Sequence, residues 1–74
     1  MSNIVEAVGL NIRILREEQG LSQEELGKLA GLHRAYIGQV ERGEKNVGLK
    51  NLEKIAKALN IGLGVLIDTC SADE

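Results

Sequence analysis

Between Gly31 and Gly43 runs the stretch GLHRAYIGQVERG, whose residue types suit recognition better than catalysis. A helix that turns Ile37 toward a core, at 100° per residue, carries Arg34, Ala35, Gly38, Gln39 and Arg42 along its opposite side. A guanidinium can fork onto the outer edge of guanine, a carboxamide onto adenine, and a methyl group can meet the thymine methyl. Arg34, Gln39 and Ala35 supply those three groups, and Gly38 leaves room for close backbone approach. On spacing alone, the same stripe is equally the solvated side of an ordinary surface helix. Catalysis has less to stand on. There is no nucleophile–base pair, no phosphate-cradling glycine loop and no metal-ligand set, and His33 and Cys70 lie far apart in sequence. No catalytic residue, metal or cofactor is expected.

The elements that must hold this stripe are helical. The 74 residues suffice for one domain, expected over 1–69, with 70–74 as a frayed acidic tail. The chain contains no Pro, Phe or Trp, and Tyr36 is its only aromatic residue. A core of Leu, Ile, Val and Ala suits packed helices. The single Cys fits a reducing cytoplasm, and no apolar run approaches membrane-spanning length. Net charge is −2, yet residues 28–57 carry seven Lys/Arg against three Glu, while the remainder carries two Arg against eight Asp/Glu. A basic middle between acidic ends implies one positive face.

The spacing predicts a first helix over about Asn3–Gln19, with Val5, Val8, Ile12 and Leu15 at helical intervals and Gly20 ending it. Ser22 and Glu25 form a capping-box pattern that starts a second helix, with Leu26 and Leu29 expected inside. Gly31 makes a tight turn, and a third helix runs to Arg42. After the polar loop 43–48, a fourth helix carries Leu49, Leu52, Ile55, Ala56 and Leu59 on one stripe and Lys50, Lys54 and Lys57 opposite, mostly as a solvated face. A turn at Asn60–Gly62 leads into the apolar segment LGVLID.

Two short helices joined at Gly31, with Leu26, Leu32, Ile37 and Val40 fixing their crossing, make a helix-turn-helix pattern over Gln23–Arg42. Gly27 stands where such motifs usually carry Ala, which costs about 1 kcal/mol in helix propensity. Over residues 7–67 the chain resembles the lambda-repressor/Cro-type helix-turn-helix family. GLHRAYIGQVERGEKNVGLKNL is most similar to the small controller proteins of restriction-modification systems.

The resemblance implies an all-α, compact five-helix domain that binds double-stranded DNA as a homodimeric transcription regulator on a pseudo-palindromic operator. RNA polymerase is a further partner if the protein activates. Arg34, Ala35 and Gln39 align with the family's base-reading positions, and Gln23 with one that grips the backbone. Tyr36, Arg42, Lys45, Asn46 and Lys50 are further phosphate candidates, although the Tyr36 ring also suits the edge of a core. His33 replaces the family's usual Asp, Ser or Thr cap. It reads either as a DNA contact, with Gly38, or as a helix-start residue that caps less well by about 0.5–1 kcal/mol. Arg16 and Glu41 occupy positions that the family pairs as a partly buried structural ion pair.

Leu63, Val65, Leu66 and Ile67 are more apolar residues than so short a terminal helix needs, and the family dimerises through this helix. Leu10 and Ile14, one turn apart, lie on a face that the family usually keeps polar. These apolar segments also keep open a different class of function, a protein-binding module such as an antitoxin. A phage-type repressor is a further alternative within the DNA-binding class.

Overall fold

The computed structural model describes residues 3–68, which contain five helices: α1 (Ile4–Glu18), α2 (Gln23–Ala30), α3 (Arg34–Glu41), α4 (Leu49–Ala58) and α5 (Leu63–Asp68). The expected tail 70–74, Cys70 and the end of the 1–69 domain lie outside the described residues.

Local signals set most of the boundaries. The Asn3 side chain accepts from the Val5 N–H at 2.9 Å and starts α1. At the start of α2 the capping box closes in both directions. The Glu25 N–H donates to Ser22 Oγ (3.0 Å), and the Ser22 N–H donates to Glu25 Oε1 (2.8 Å). The bond from the Ser22 N–H, with the Ser22 hydroxyl beside it, stabilises the charged carboxylate and holds Glu25 below its usual pKa. Gly31 ends α2 with φ 72°, a left-handed conformation that most side chains resist. Asn60, also left-handed at φ 60°, follows α4 and turns the chain into α5.

The core is aliphatic, as the composition requires. Val8 and Ile12 of α1, Leu26 and Ala30 of α2, and Ile37 and Val40 of α3 pack with Leu52, Ile55, Ala56, Leu59 and Leu66. α3 lies across both α2 and α1, α4 packs on α2, and α5 rests on α4 and α1. Asn11 of α1 fixes α5 by donating to the Leu66 carbonyl at 2.8 Å.

Two expected core positions are corrected. Leu29 is 61% exposed, because α2 turns Leu26, Gly27 and Ala30 inward instead. Gly27 dictates that rotation: a β-carbon there would stand 2.5 Å from the Leu32 carbonyl oxygen. The propensity cost expected at this residue is therefore tied to a close approach of α2 to the backbone of the turn. Leu49 is also exposed, at 68%; it is the first residue of α4, where the apolar stripe loses its cover.

Candidate nucleic-acid interface

α3 presents its outward side as the spacing predicts, with one change. Arg34, Ala35 and Arg42 are exposed and Gln39 is half-buried, while Ile37 and Val40 are sealed in the core. Gly38, expected on the same open stripe, is buried. A β-carbon at this position would meet Arg42 Nη1 at 3.1 Å and Gln23 Oε1 at 3.3 Å. Those two side chains therefore roof the glycine, and close approach to a ligand at Gly38 requires them to move.

Beneath this roof lies the predicted ion pair. Arg16 donates from Nε to Glu41 Oε2 at 2.6 Å and from Nη2 to Glu41 Oε1 at 3.0 Å, a two-pronged match of planar groups. Its remaining nitrogen, Nη1, donates to the Leu21 carbonyl at 2.8 Å, so the pair ties α1, α3 and the entry to α2 together. The Glu41 bond holds the guanidinium pKa above its ordinary value. Gln23, at the start of α2, donates from Nε2 to Glu41 Oε1 at 3.0 Å. The residue expected to grip DNA is thus braced by the same carboxylate that anchors α3.

The other predicted residues fall into separate places. His33 caps α3: its Nδ1 accepts from the Ala35 N–H at 3.0 Å, which leaves Nε2 to carry the proton of the neutral ring. Tyr36 is half-buried against the core, and its hydroxyl accepts from Asn51 Nδ2 at 3.2 Å, leaving the phenolic hydrogen free to donate. Gln23 and Arg42 share one recess with Arg13, Arg16, Glu17 and Glu41. Lys50 lines a different recess with Leu49, Glu53 and Leu63, and Asn46 a third beside Ile4, Val47 and Ile67. Lys45 is exposed in the loop before α4.

The structure adds residues that the sequence did not single out. Arg13 reaches the recess beside Gln23 and Arg42; its place one turn before Arg16 on α1 was the available signal. Asn51 sets the Tyr36 hydroxyl, a contact across fifteen residues with no local signature. Glu44 binds Arg42, with Oε2 and Oε1 accepting from Nε and Nη2 at 2.9 and 3.2 Å, and Glu24 stands 3.8 Å from Arg34.

Among the four apolar residues expected at a dimer interface, the structure divides the roles. Leu66 is fully buried in the monomer core and Leu63 is half-buried, which removes Leu66 from the outer surface. Val65 and Ile67 are 46% and 37% exposed. Ile67 joins Ile4 in one apolar recess and Leu63 joins Leu49 in another, so the outer apolar surface extends beyond α5. Leu10 and Ile14 are exposed on α1. No described helix is long and apolar enough to cross a membrane, and no described group of His, Cys, Asp and Glu is placed to hold a metal.

A helix-turn-helix family model matches residues 12–66. The chain is 48% identical over 65 residues to the control protein C.SmaI of Serratia marcescens, covering 88% of this chain and 77% of that protein. Its structure superposes on the restriction-modification controller C.AhdI of Aeromonas hydrophila with TM-score 0.82 and 48% identity, over 84% of this chain and 94% of that one. It also matches the controller C.Esp1396I, solved as a tetramer on its natural 35-base-pair operator. That TM-score is 0.87 at 32% identity, over 99% of this chain and 96% of that one.

Proposed function

The chain belongs to the helix-turn-helix family, and from that premise we propose that it is a transcription regulator that binds double-stranded operator DNA as a homodimer, in the manner of a restriction-modification controller. One observation carries the reading: α3 holds Arg34, Ala35 and Gln39 outward on a helix locked from behind by the buried Arg16–Glu41 pair. A reading helix must keep its polar side open and its orientation fixed, and here one carboxylate links both requirements through Gln23.

In this reading Arg34 forks onto guanine, Gln39 onto adenine, and the Ala35 methyl meets thymine. Gln23, Tyr36 and Arg42 hold phosphates beside α3, with Lys45, Asn46 and Lys50 as flanking contacts; Gln23 keeps a second amide hydrogen for that purpose. His33 orders the first turn of α3 and thereby the Arg34 and Ala35 backbone. Val65 and Ile67, together with Ile4 beside Ile67 and Leu49 beside Leu63, form the apolar surface that a second copy covers. Such a dimer sets its two α3 helices about 34–36 Å apart, one turn of duplex. The site of action is the cytoplasm, with the DNA.

Selection of bound duplexes from random sequence tests the reading. It is expected to return a two-fold symmetric site whose affinity falls with salt at a log–log slope of about −8 to −11 per dimer. Arg34→Ala is expected to relax preference at one base pair in each half-site, a loss of about 1–3 kcal/mol of discrimination. No enriched sequence, or a flat salt response, would overturn it.

A further inference from the structure

Arg42 is already paired within the chain. It stands at the C-terminal cap of α3, and its guanidinium folds back over Gly38, where a β-carbon would lie 3.1 Å from Nη1 and 3.3 Å from Gln23 Oε1. Nε and Nη2 donate to the two oxygens of Glu44 at 2.9 and 3.2 Å. Glu44 is itself placed by the backbone, since its N–H donates to the Gln39 carbonyl at 2.8 Å. The pairing is mutual in its effect: Glu44 raises the Arg42 pKa, and Arg42 lowers that of Glu44. Both side chains are more than half exposed, at 58% and 54%, so the pair adds little to the fold. Its position is what gives it a role. The two nitrogens that bind Glu44 are the same fork that would bind a phosphate.

Resting on the DNA-binding reading above, we propose that Glu44 competes with DNA phosphate for Arg42 and so sets how tightly the protein holds any duplex. Before Arg42 reaches a phosphate it must leave Glu44, and the carboxylate then remains uncompensated beside a polyanion. One ion pair replaces another, so the contact contributes less affinity, and a weaker salt dependence, than a free arginine. Random and operator duplexes feel this alike, because phosphate is common to both. Glu44 therefore scales affinity, whereas Arg34 and Gln39 select sequence.

The test is a double-mutant cycle on the intact protein, read by binding to the selected operator and to a random duplex across a salt series. Glu44→Gln is expected to tighten both complexes by about two- to fivefold per protomer. It also steepens the salt slope by about 1 per protomer as Arg42 becomes a full phosphate contact. In an Arg42→Gln background the same substitution should bring a clearly smaller gain, limited to relief of the repulsion between the Glu44 carboxylate and the duplex. Glu18→Gln, which makes the same change in net charge at the end of α1, should leave the slope unchanged. An equal gain from Glu44→Gln with and without Arg42, or no gain with Arg42 present, overturns the proposal. Failure of the unsubstituted protein to bind any duplex overturns instead the DNA-binding reading on which it rests.

Discussion

Two arginine–glutamate pairs, which abut at the consecutive residues Glu41 and Arg42, share one geometry and differ in almost everything else. Arg16–Glu41 and Arg42–Glu44 both join a guanidinium fork to both carboxylate oxygens. The first has side-chain exposures of 10% and 2%, the second 58% and 54%. Burial removes water as an alternative partner, so each charge of the first pair depends on the other. Water competes for every bond of the second, so that pair holds nothing up and is free to exchange. Identical chemistry serves as scaffold in one place and as a releasable contact in the other, and the solvent decides which.

That contrast breaks down if the buried pair proves dispensable. Glu41→Gln strands the Arg16 charge and is expected to cost about 3–5 kcal/mol in urea unfolding. Replacing both partners with apolar residues, Arg16→Met with Glu41→Leu, should recover much of that loss. A single substitution that leaves the unfolding midpoint in place would show that the pair is not structural.

Gln23→Ala sharpens the boundary between the two roles, since Gln23 touches the scaffold carboxylate yet lies beside Arg42. It is expected to cost about 1–2 kcal/mol in stability, less than a fully buried hydrogen bond to a charge. It should also weaken binding to every duplex alike. A stability loss with undiminished DNA affinity would assign Gln23 wholly to the scaffold.

The smallest effect is one of pH. Arg42 holds Glu44 below its ordinary carboxylate pKa of 4.5. A depressed folded-state value means that the pair's contribution is complete above 4.5 and disappears as pH falls through the lower folded value. For Arg16 the folded value is raised by the Glu41 bond, so its contribution is complete at every pH below the ordinary guanidinium range and is lost only in strong alkali. Carboxyl titration by NMR should place Glu44 below 4.5, and Arg42→Gln should return it toward that value.

Much of this was legible in the chain. The spacing predicts the Ser22–Glu25 box, Gly31 at the turn and Gly43 after α3, the resemblance implies the Arg16–Glu41 pair, and the structure contains each of them. What escaped were properties of surfaces meeting each other. Leu29 and Leu49 look like core residues by type, but helix rotation and the end of the packing leave them exposed. The spacing along α3 leaves Gly38 open, whereas its roof comes from Gln23 of α2 and from Arg42, the cap residue just past the end of α3. Gly9 had no signal at all, yet a β-carbon there would run into the Val40 carbonyl where α1 crosses α3.

By itself, the sequence determined the helices, their caps, the helix-turn-helix and the residue types on the outward side of α3. Those features depend on neighbours three or four positions apart, which the chain carries in order. The tertiary structure alone decided which charge pair is buried, which apolar residues remain outside, and that Glu44 holds Arg42. Each of these depends on what covers a side chain from another element and on how much water that cover excludes, and no spacing along one helix encodes it.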